Sequence, residues 1–375
     1  MTQYNRNLRN IIVLAAFVLC GLVGASWAKE PGRGAVKVFL LVGQSNMEGK
    51  AKAGTLEPAI ADPKMRDRFK HLKKNGEWTV REDVWVTFLC RRVKGPYEKK
   101  PPCGPLTVGF GGFKTDRNDQ FKKVPVPTIG PELGFGHVLG NHFDEQVLLI
   151  KAAWGGISLK KGFLPPSAGG PGPKYTETVA EVRKVLDNLK KYFPGYDEKQ
   201  GYEIVGLVWF QGWNDGVGQG NPDYTEQLAH FIRDIRREFN VSDMPVVIGE
   251  LGTDGPDAAG WVAEFRKRQA AVADIPQFKE NVRFARTAQF WPTFPAELNP
   301  KWEEFKKKNK AFLEQAKKQG KKLTPKEIWE FGNKHWRIYK DVARMSDKRY
   351  HYWGSGECYY LMGEAFGKAM LEMLK

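Results

Sequence analysis

Apolar residues along the chain recur in short runs that alternate with helical patterns. The first run, Val36–Val42, is interrupted only by Lys37 and is typical of a strand buried on both faces. Four more runs have the length and composition of strands, at residues 146–150, 204–210, 245–251 and 281–285. Helical patterns cover residues 130–141, 175–192, 222–239, 257–273 and 356–374. This alternation predicts the α/β class, as a three-layer α/β/α sandwich with a central, mainly five-stranded parallel sheet.

Two segments interrupt the alternation. Residues 57–130 are rich in Gly, Pro and Lys, with a β-like stretch at 84–89, and are predicted to be a long loop excursion that forms one wall of a cleft. Residues 296–340 are rich in Lys and Glu with a helical pattern, and Thr324-Pro325-Lys326-Glu327 has the form of a capping box. We interpret this second segment as a helical insertion in a single domain that spans residues 29–375.

The N-terminus has the pattern of a signal peptide. Arg6 and Arg9 precede an apolar run from Ile11 to Val23, and Ala25-Ser26-Trp27-Ala28 supplies small residues for cleavage after Ala28. The run is too short for a comfortable membrane span, although a retained anchor is the alternative. Residues 1–28 therefore predict a secreted or periplasmic protein with no stable membrane association after cleavage.

The charge balance adds little about partners. Lys plus Arg number 59 and Asp plus Glu 43, which gives +16, and the excess concentrates around residues 301–326. No nucleic-acid-binding motif accompanies it, so we interpret this region as a solvated helical face. We expect no nucleic-acid partner, and the sequence indicates no protein partner.

Export leaves three cysteines, Cys90, Cys103 and Cys358. The first two flank a Gly/Pro-rich loop and are able to form a disulfide in an oxidising compartment. Because no pair has metal-ligand spacing with a histidine, no metal site is predicted.

Four polar or glycine-rich loops are predicted to lie at the same edge of the sheet. They are Gly43-Gln44-Ser45-Asn46, Trp154-Gly155-Gly156, Gln211-Gly212-Trp213-Asn214-Asp215 and residues 347–351. Ligands of open parallel sheets bind at the carboxyl ends of the strands, where Ser45 directly follows the first run. A serine hydroxyl is a weak nucleophile and needs a base, for which His351 is the candidate.

An ester hydrolase also needs donors for the developing oxyanion. The candidates are the backbone N–H groups of Ser45 and of Gly155 or Gly156, together with the side-chain amide of Asn214. Each of these segments alone also fits an ordinary turn or helix cap, so the prediction depends on their combination.

The combination resembles the SGNH (GDSL-like) hydrolase superfamily, and more narrowly its sialate O-acetylesterase branch. The similar blocks are Val38–Met47, Lys151–Leu159 and Gln211–Asp215. The resemblance implies a flavodoxin-like strand order and a serine esterase that removes O-acetyl groups from carbohydrates. It implies Ser45 as nucleophile, His351 as general base and Asp347 as the acid that orients the imidazole, with no metal or organic cofactor. Gln44 and Gln211 are assigned to substrate binding.

Two departures leave alternatives open. The superfamily usually places its aspartate three residues before the histidine, whereas Asp347 precedes His351 by four. Asp341 and Glu250 are therefore weaker candidates for the same role. Many members of the branch also have Glu where this chain has Trp213-Asn214.

The substrate is equally open, since sialic acid, xylan and other acetylated glycans all fit the motif. A non-catalytic carbohydrate-binding protein on the same fold, or an esterase for non-sugar acyl esters, are the alternative functions.

Overall fold

A central sheet organises the part of the chain that the computed structural model describes, residues 32–93, 102–117, 120, 122–217 and 220–375. Within those residues the sheet has seven strands: β1 (Gly32–Gly43), β2 (Arg81–Thr87), β3 (Cys103–Leu106), β4 (Glu145–Ala153), β5 (Tyr202–Phe210), β6 (Val246–Gly249) and β7 (Val282–Ala285). Their spatial order is β7-β6-β5-β1-β4-β2-β3. All neighbours are parallel except the pair β2–β3, which is antiparallel.

The five predicted parallel strands are confirmed. These are β1, β4, β5, β6 and β7. When they are numbered 1 to 5 in chain order, their order across the sheet is 2-1-3-4-5, which is the flavodoxin-like order. The sheet is wider than predicted because the excursion supplies β2 and β3. The β-like stretch at 84–89 overlaps β2, in which Val84 and Val86 are fully buried, although it was expected to belong to a loop excursion and not to the central sheet. Gly104 and Pro105 give β3 no strand signal, and proline is tolerated there because β3 is an edge strand.

Helices cover both faces of the sheet, as the α/β/α prediction requires. The longer ones are α1 (Glu132–His142), α2 (Pro173–Leu186), α3 (Tyr224–Glu238), α4 (Trp261–Ala271), α5 (Phe294–Lys318), α6 (Pro325–His335) and α7 (Gly356–Met373). Along β1, Phe39 and Leu41 pack with α1 and α7 on one face. Val38, Leu40 and Val42 pack with α2, α3 and α4 on the other. This alternation follows from the period-two geometry of a strand.

Short elements complete the fold. Helices of about one turn lie at Ser45–Glu48, Glu57–Ala61, Arg66–Phe69, Leu189–Tyr192 and Trp213–Gly216. Three small antiparallel pairs join Ala51–Lys52 to Thr128–Ile129, Lys73–Lys74 to Glu77–Trp78, and Thr115–Arg117 to Lys123–Pro125. The helix predicted over 175–192 is interrupted after Leu186, and the capping box of Thr324 and Glu327 is present at the start of α6.

The three cysteines among the described residues carry no disulfide. Cys90, Cys103 and Cys358 are free thiols. The sulfur of Cys90 faces the carbonyl oxygens of Lys151 and Ala153, whereas that of Cys103 faces the carbonyl oxygen of Tyr192. Burial raises the pKa of the Cys90 thiol to about 12. The two side chains therefore have different partners, and the expected pairing does not occur.

The predictions about the signal peptide and about membrane association concern different parts of the chain. Residues 1–28 lie outside the described residues, so the signal peptide stays a prediction. Over the ranges that the structure does describe, no helix is long and apolar enough to cross a membrane.

Candidate active site

The carboxyl ends of three central strands meet at one edge of the sheet. Gly43 of β1 is paired with Ala153 of β4 and with Phe210 of β5. The loops after these three strands carry Ser45, the Gly155-Gly156 pair and Asn214. The sheet register therefore brings together residues that are far apart in sequence, as the edge location predicts.

Ser45 follows a turn that requires glycine. A Cβ on Gly43 would lie 2.2 Å from the carbonyl oxygen of Phe210, so no side chain fits there. The backbone N–H of Gln44 donates to the same carbonyl at 3.2 Å. Ser45 then begins the short helix Ser45–Glu48 and is 6% exposed. The contact between β1 and β5 thus fixes the turn that carries the hydroxyl.

The side chains of Ser45, His351 and Asp347 form a continuous row of hydrogen bonds. His351 Nε2 lies 2.9 Å from Ser45 Oγ, and His351 Nδ1 lies 3.0 Å from Asp347 Oδ1. With Nδ1–H donating to the carboxylate, Nε2 is the unprotonated nitrogen and accepts from the serine hydroxyl. This is the arrangement of a Ser-His-Asp hydrolase site.

The backbone turn at residues 347–351 accommodates the unusual spacing. The N–H of His351 donates to the carbonyl of Lys348 at 3.0 Å, which closes a helical turn. The bend that this turn and the extended Lys348 produce brings Asp347 Oδ1 to 3.0 Å from the imidazole. The spacing that seemed to disfavour Asp347 is therefore compatible with contact.

Two strained residues follow the histidine. Tyr352 and Trp353 have φ values of 50° and 56°, and each such non-glycine residue costs about 1–3 kcal/mol. The buried hydroxyl of Tyr352 compensates by accepting from the N–H of Gly252 at 2.8 Å and bonding Thr287 Oγ1 at 3.0 Å. The carbonyl of Trp353 also accepts from the N–H of Asp347 at 3.0 Å. These bonds hold the loop in the conformation that presents His351.

Lys114, which the sequence did not reveal, fixes the other carboxylate oxygen of Asp347. Its Nζ donates to Asp347 Oδ2 and, at 2.9 Å, to the carbonyl of Ser346. Burial opposes ionisation of Asp347, but the bond from His351, the charge and bond of Lys114 and the N–H of Lys348 outweigh it. They hold the pKa of Asp347 well below its usual range. Lys114 lies in the Lys-rich excursion, where no local pattern distinguishes it.

The two alternative acids are engaged elsewhere. Glu250 Oε2 accepts from the backbone N–H groups of Thr287 and Ala288, each at 2.8 Å. Asp341 lies 3.4 Å from the guanidinium of Arg344. Asp347 is therefore the acid in contact with His351 among the three that the sequence nominated.

The candidate oxyanion donors line the same edge. A Cβ on Gly155 would lie 3.7 Å from Ser45 Cβ, which places this glycine against Ser45. Gly156 has a φ of 78°, which favours glycine. Asn214 Oδ1 accepts from Gln44 Nε2 at 3.2 Å. Within the described residues, Asn214 Nδ2 and the N–H groups of Ser45, Gly155 and Gly156 donate to no protein acceptor.

The glutamines assigned to substrate binding hold the loops together. Gln44 Oε1 accepts from Gln211 Nε2 at 3.1 Å and from the N–H groups of Gly212 and Asn214 at 3.2 and 3.3 Å. Gln211 Nε2 also donates to Asp215 Oδ2 at 2.6 Å. Both glutamines are 2% exposed. Their contacts favour a positioning role for each.

Asp215 joins the loop after β4, which carries Gly155, to the loop after β5, which carries Asn214. It is 1% exposed, and its carboxylate accepts from the N–H groups of Leu159 and Lys160 at 2.5 and 3.2 Å. Asn221 Nδ2 donates to it at 2.8 Å. The relative position of Gly155 and Asn214 therefore depends on a buried carboxylate, which the turn-like sequence Asn214-Asp215-Gly216 did not indicate.

A buried lysine stabilises the short helix that begins at Ser45. Lys151 Nζ donates to Glu132 Oε2 at 2.6 Å and to the carbonyls of Glu48 and Phe110, each at 2.9 Å. The side chains of Lys151 and Glu132 are fully buried. Burial lowers the pKa of Lys151, and the charge of Glu132 acts against this. The sequence carries a signal for this buried role, because Lys151 is a single lysine at the end of an apolar strand.

Asn46 connects the Ser45 turn to the histidine loop. Its Nδ2 donates to the carbonyl of Tyr350 at 3.3 Å, and its Oδ1 accepts from the hydroxyl of Tyr359 at 2.8 Å. No group of three or more His, Cys, Asp or Glu side chains in the described ranges has the geometry of a metal site.

These features define an α/β protein with a serine, histidine and aspartate in hydrogen-bonded contact at the carboxyl edge of a parallel sheet. The family model described as carbohydrate esterase, sialic acid-specific acetylesterase matches residues 35–284. The match covers more than half of the chain, so the protein belongs to this family and is an esterase. The resemblance to the sialate O-acetylesterase branch is thereby confirmed.

Similar solved structures include that of NanS, with 16% identity over 68% of this chain and 78% of NanS and a TM-score of 0.43. A carbohydrate acetylesterase from Xanthomonas citri has 15% identity over 67% of this chain and 49% of its own, with a TM-score of 0.39. A protein from Arabidopsis thaliana has 15% identity over 68% and 86%, with a TM-score of 0.39. No curated protein matches the chain in sequence.

The family match ends before two residues of the site. Residues 35–284 contain Ser45, Gly155, Gly156 and Asn214, whereas Asp347 and His351 follow it. The C-terminal segment therefore contributes the histidine and the aspartate through tertiary contact.

Proposed function

We propose that the protein is an exported serine esterase that removes O-acetyl groups from carbohydrates, with Ser45, His351 and Asp347 as its catalytic residues. The observation that carries the proposal is the row of hydrogen bonds from Ser45 Oγ through the imidazole to Asp347, at 2.9 and 3.0 Å. Membership of the carbohydrate esterase family supports the substrate class. The signal-like pattern of residues 1–28 supports export.

In the first half-reaction, Ser45 Oγ attacks the acetyl carbonyl carbon while His351 Nε2 takes the hydroxyl proton. The tetrahedral intermediate collapses, the bond between the acyl carbon and the sugar oxygen breaks, and His351 Nε2–H protonates that oxygen. In the second half-reaction, a water attacks acetyl-Ser45 with His351 as base. Acetate leaves and Ser45 regains its proton. Asp347 keeps the imidazole in the required tautomer throughout.

The oxyanion is stabilised by the N–H groups of Ser45 and of Gly155 or Gly156, and by Asn214 Nδ2. Each donor of this kind contributes about 3 kcal/mol to the transition state. The bond from Gln44 to Asn214 Oδ1 supports this assignment, because it turns the amide so that its N–H₂ group stays available. No step in this mechanism requires a metal or an organic cofactor.

Labelling with a serine-directed phosphonate tests the proposal. We expect the mature protein to release acetate from small acetyl esters, and a fluorophosphonate to abolish this activity with modification at Ser45. Peptide mapping by mass spectrometry locates the label. Modification of another serine, or full activity after labelling, would remove Ser45 from the mechanism. Absence of both activity and labelling would favour a non-catalytic binding protein.

A further inference from the structure

A row of aromatic side chains with exposed members at both ends and a partly buried one between them begins beside His351. The Tyr350 ring lies 4.5 Å from the His351 ring, and the Trp213 ring lies 5.2 Å from that of Tyr350. Trp261 continues the row at 5.4 Å from Trp213. Tyr350 is 37% and Trp261 38% exposed, although both are large aromatic residues.

The row is attached to the same loops that carry the catalytic groups. Trp213 precedes Asn214 in the short helix Trp213–Gly216, and Tyr350 precedes His351. Asn46, next to the nucleophile, donates to the carbonyl of Tyr350. A Cβ on Gly216 would lie 2.6 Å from the Trp261 ring, so this glycine lets the indole pack closely over the helix. The row is therefore held in place and is not a set of scattered surface side chains.

The proposed reaction determines which part of the substrate lies next to these aromatic side chains. His351 Nε2–H must protonate the leaving oxygen, so that oxygen lies on the histidine side of the acyl carbon. The carbonyl oxygen points instead to the oxyanion donors. In a carbohydrate ester the leaving oxygen belongs to the sugar, and the sugar ring consequently leaves the site past His351 toward Tyr350 and Trp213.

We propose that Tyr350, Trp213 and Trp261 form a subsite that binds a pyranose ring of the substrate by stacking against its apolar C–H face. An exposed cluster of large aromatic side chains marks an interaction site more often than it serves stability. Rigid aromatic rings provide contact area at low conformational-entropy cost, and they tolerate hydroxyl groups at the edge of the ligand. The inference rests on the proposed esterase function and assigns the side of the site on which the sugar lies.

Two substrates separate the subsite from the chemistry. Ethyl acetate carries the acetyl ester without a ring, and an O-acetylated methyl pyranoside carries it on a sugar. Acid release in a pH-stat gives kcat and KM for both. The variants are Trp261→Ala, Trp213→Leu and Trp213→Phe. The matched control is Trp329→Ala, which removes an indole that is 39% exposed on helix α6.

We expect Trp261→Ala and Trp213→Leu to lower kcat/KM for the pyranoside by roughly three- to tenfold, mainly through KM. The decrease for ethyl acetate should be smaller, and Trp213→Phe should recover much of the loss because it restores a ring. Trp329→Ala should not change the ratio of the two kcat/KM values. Trp261 is exposed, so its variant tests the subsite even if a Trp213 variant is poorly folded.

The proposal is overturned if Trp261→Ala and Trp213→Leu change kcat/KM for both substrates by the same factor, or if neither variant changes it. It is also overturned if Trp329→Ala shifts the ratio equally. Failure of the esterase function itself would look different, because the wild-type protein would then release acid from neither substrate and Ser45 would not react with fluorophosphonate.

Discussion

Asp347 is the residue at which the chain departs from the spacing of its superfamily. Its Oδ1 lies 3.0 Å from His351 Nδ1, whereas Glu250 accepts from the backbone of residues 287 and 288. We expect Asp347→Asn to lower kcat by up to about ten-thousandfold with the fold intact, because an amide favours the wrong imidazole tautomer. Steady-state kinetics with an acetyl ester measure the loss.

Glu250→Gln is the matched control for this prediction. It changes a more deeply buried acid just after β6 and should leave kcat within a fewfold of wild type. A crippled Glu250→Gln beside a nearly normal Asp347→Asn would show that the assignment of Asp347 is wrong. Normal kinetics in both variants would indicate a Ser-His dyad.

Lys114 is expected to help keep Asp347 ionised. Its charge and its bond to Asp347 Oδ2 act with the bond from His351 to hold the pKa of that carboxyl below its usual range. In Lys114→Met the pKa of Asp347 should therefore rise toward its ordinary value. NMR titration of the carboxyl carbon measures the change.

Lys114→Arg keeps the charge and should keep the pKa of Asp347 near its wild-type position. An unchanged pKa in Lys114→Met would mean that the lysine acts only as a structural support. Stability provides a second measurement. Asp347 has a lowered pKa in the folded state, so it stabilises the fold above its unfolded pKa, and this contribution disappears as pH falls through its folded pKa. Without Lys114, the contribution should be smaller and its loss should be complete at a higher pH.

At the scale of elements, helices α5 and α6 pack mainly on each other. Phe312 and Phe331 stack at 4.3 Å, and the rings of Trp302 and Trp336 lie 4.9 Å apart. No residue of α6 is buried, whereas Phe294 and Leu298 at the start of α5 are. The first turns of α5 are therefore buried, and apart from Ala316 the rest of the pair is partly or fully exposed.

This packing predicts that residues 302–338 are dispensable for folding. The segment is bracketed by Lys301 and Tyr339, where Lys301 Nζ lies 4.6 Å from the Tyr339 ring centre, so a short Gly/Ser linker can join them. We expect the shortened protein to be soluble, to unfold cooperatively and to hydrolyse small acetyl esters at close to the wild-type rate. Circular dichroism and kinetics check both points.

A second variant, which removes residues 294–338, serves as the comparison. It also deletes the buried Phe294 and Leu298 and should be much less stable. If the 302–338 replacement is itself insoluble, the helical pair is part of the core and the interpretation of this segment as an insertion fails.

At the scale of the whole molecule, the pair Lys151–Glu132 joins four parts of the chain. It links β4, the start of α1 and, through the carbonyls of Glu48 and Phe110, the short helix Ser45–Glu48 and the excursion. Lys151→Met leaves the Glu132 carboxylate buried without its cation. We expect the free energy of unfolding to fall by about 3–5 kcal/mol. Urea denaturation measures the change.

Two comparisons make this prediction specific. In Lys151→Met/Glu132→Gln both charges are absent, so the double variant should be more stable than Lys151→Met alone. Lys37→Met breaks the exposed pair with Glu203 and should cost about 0–1 kcal/mol. A double variant that is less stable than Lys151→Met would contradict the idea that an unpaired buried charge dominates the loss of stability.

Whereas the strand order followed from the family resemblance, the sequence by itself determined the layers, the five main strands and the position of Ser45. These depend on local rules: apolar runs predict buried strands, helical periodicity predicts the covering helices, and a glycine before a serine at a strand end marks a turn. The capping box of α6 was equally local, because Thr324 and Glu327 lie within one turn of each other.

Tertiary structure decided the rest, because the deciding contacts join residues that no local pattern connects. Strand β3 forms only because β2 offers it an edge, and Lys114 is distinguished from other lysines only by the carboxylate of Asp347, 233 positions away in sequence. The same holds for Gln44 and Gln211, whose amides bond each other across the site. A side chain's chemical type limits what it is able to do, but the partner that the fold brings to it determines its role.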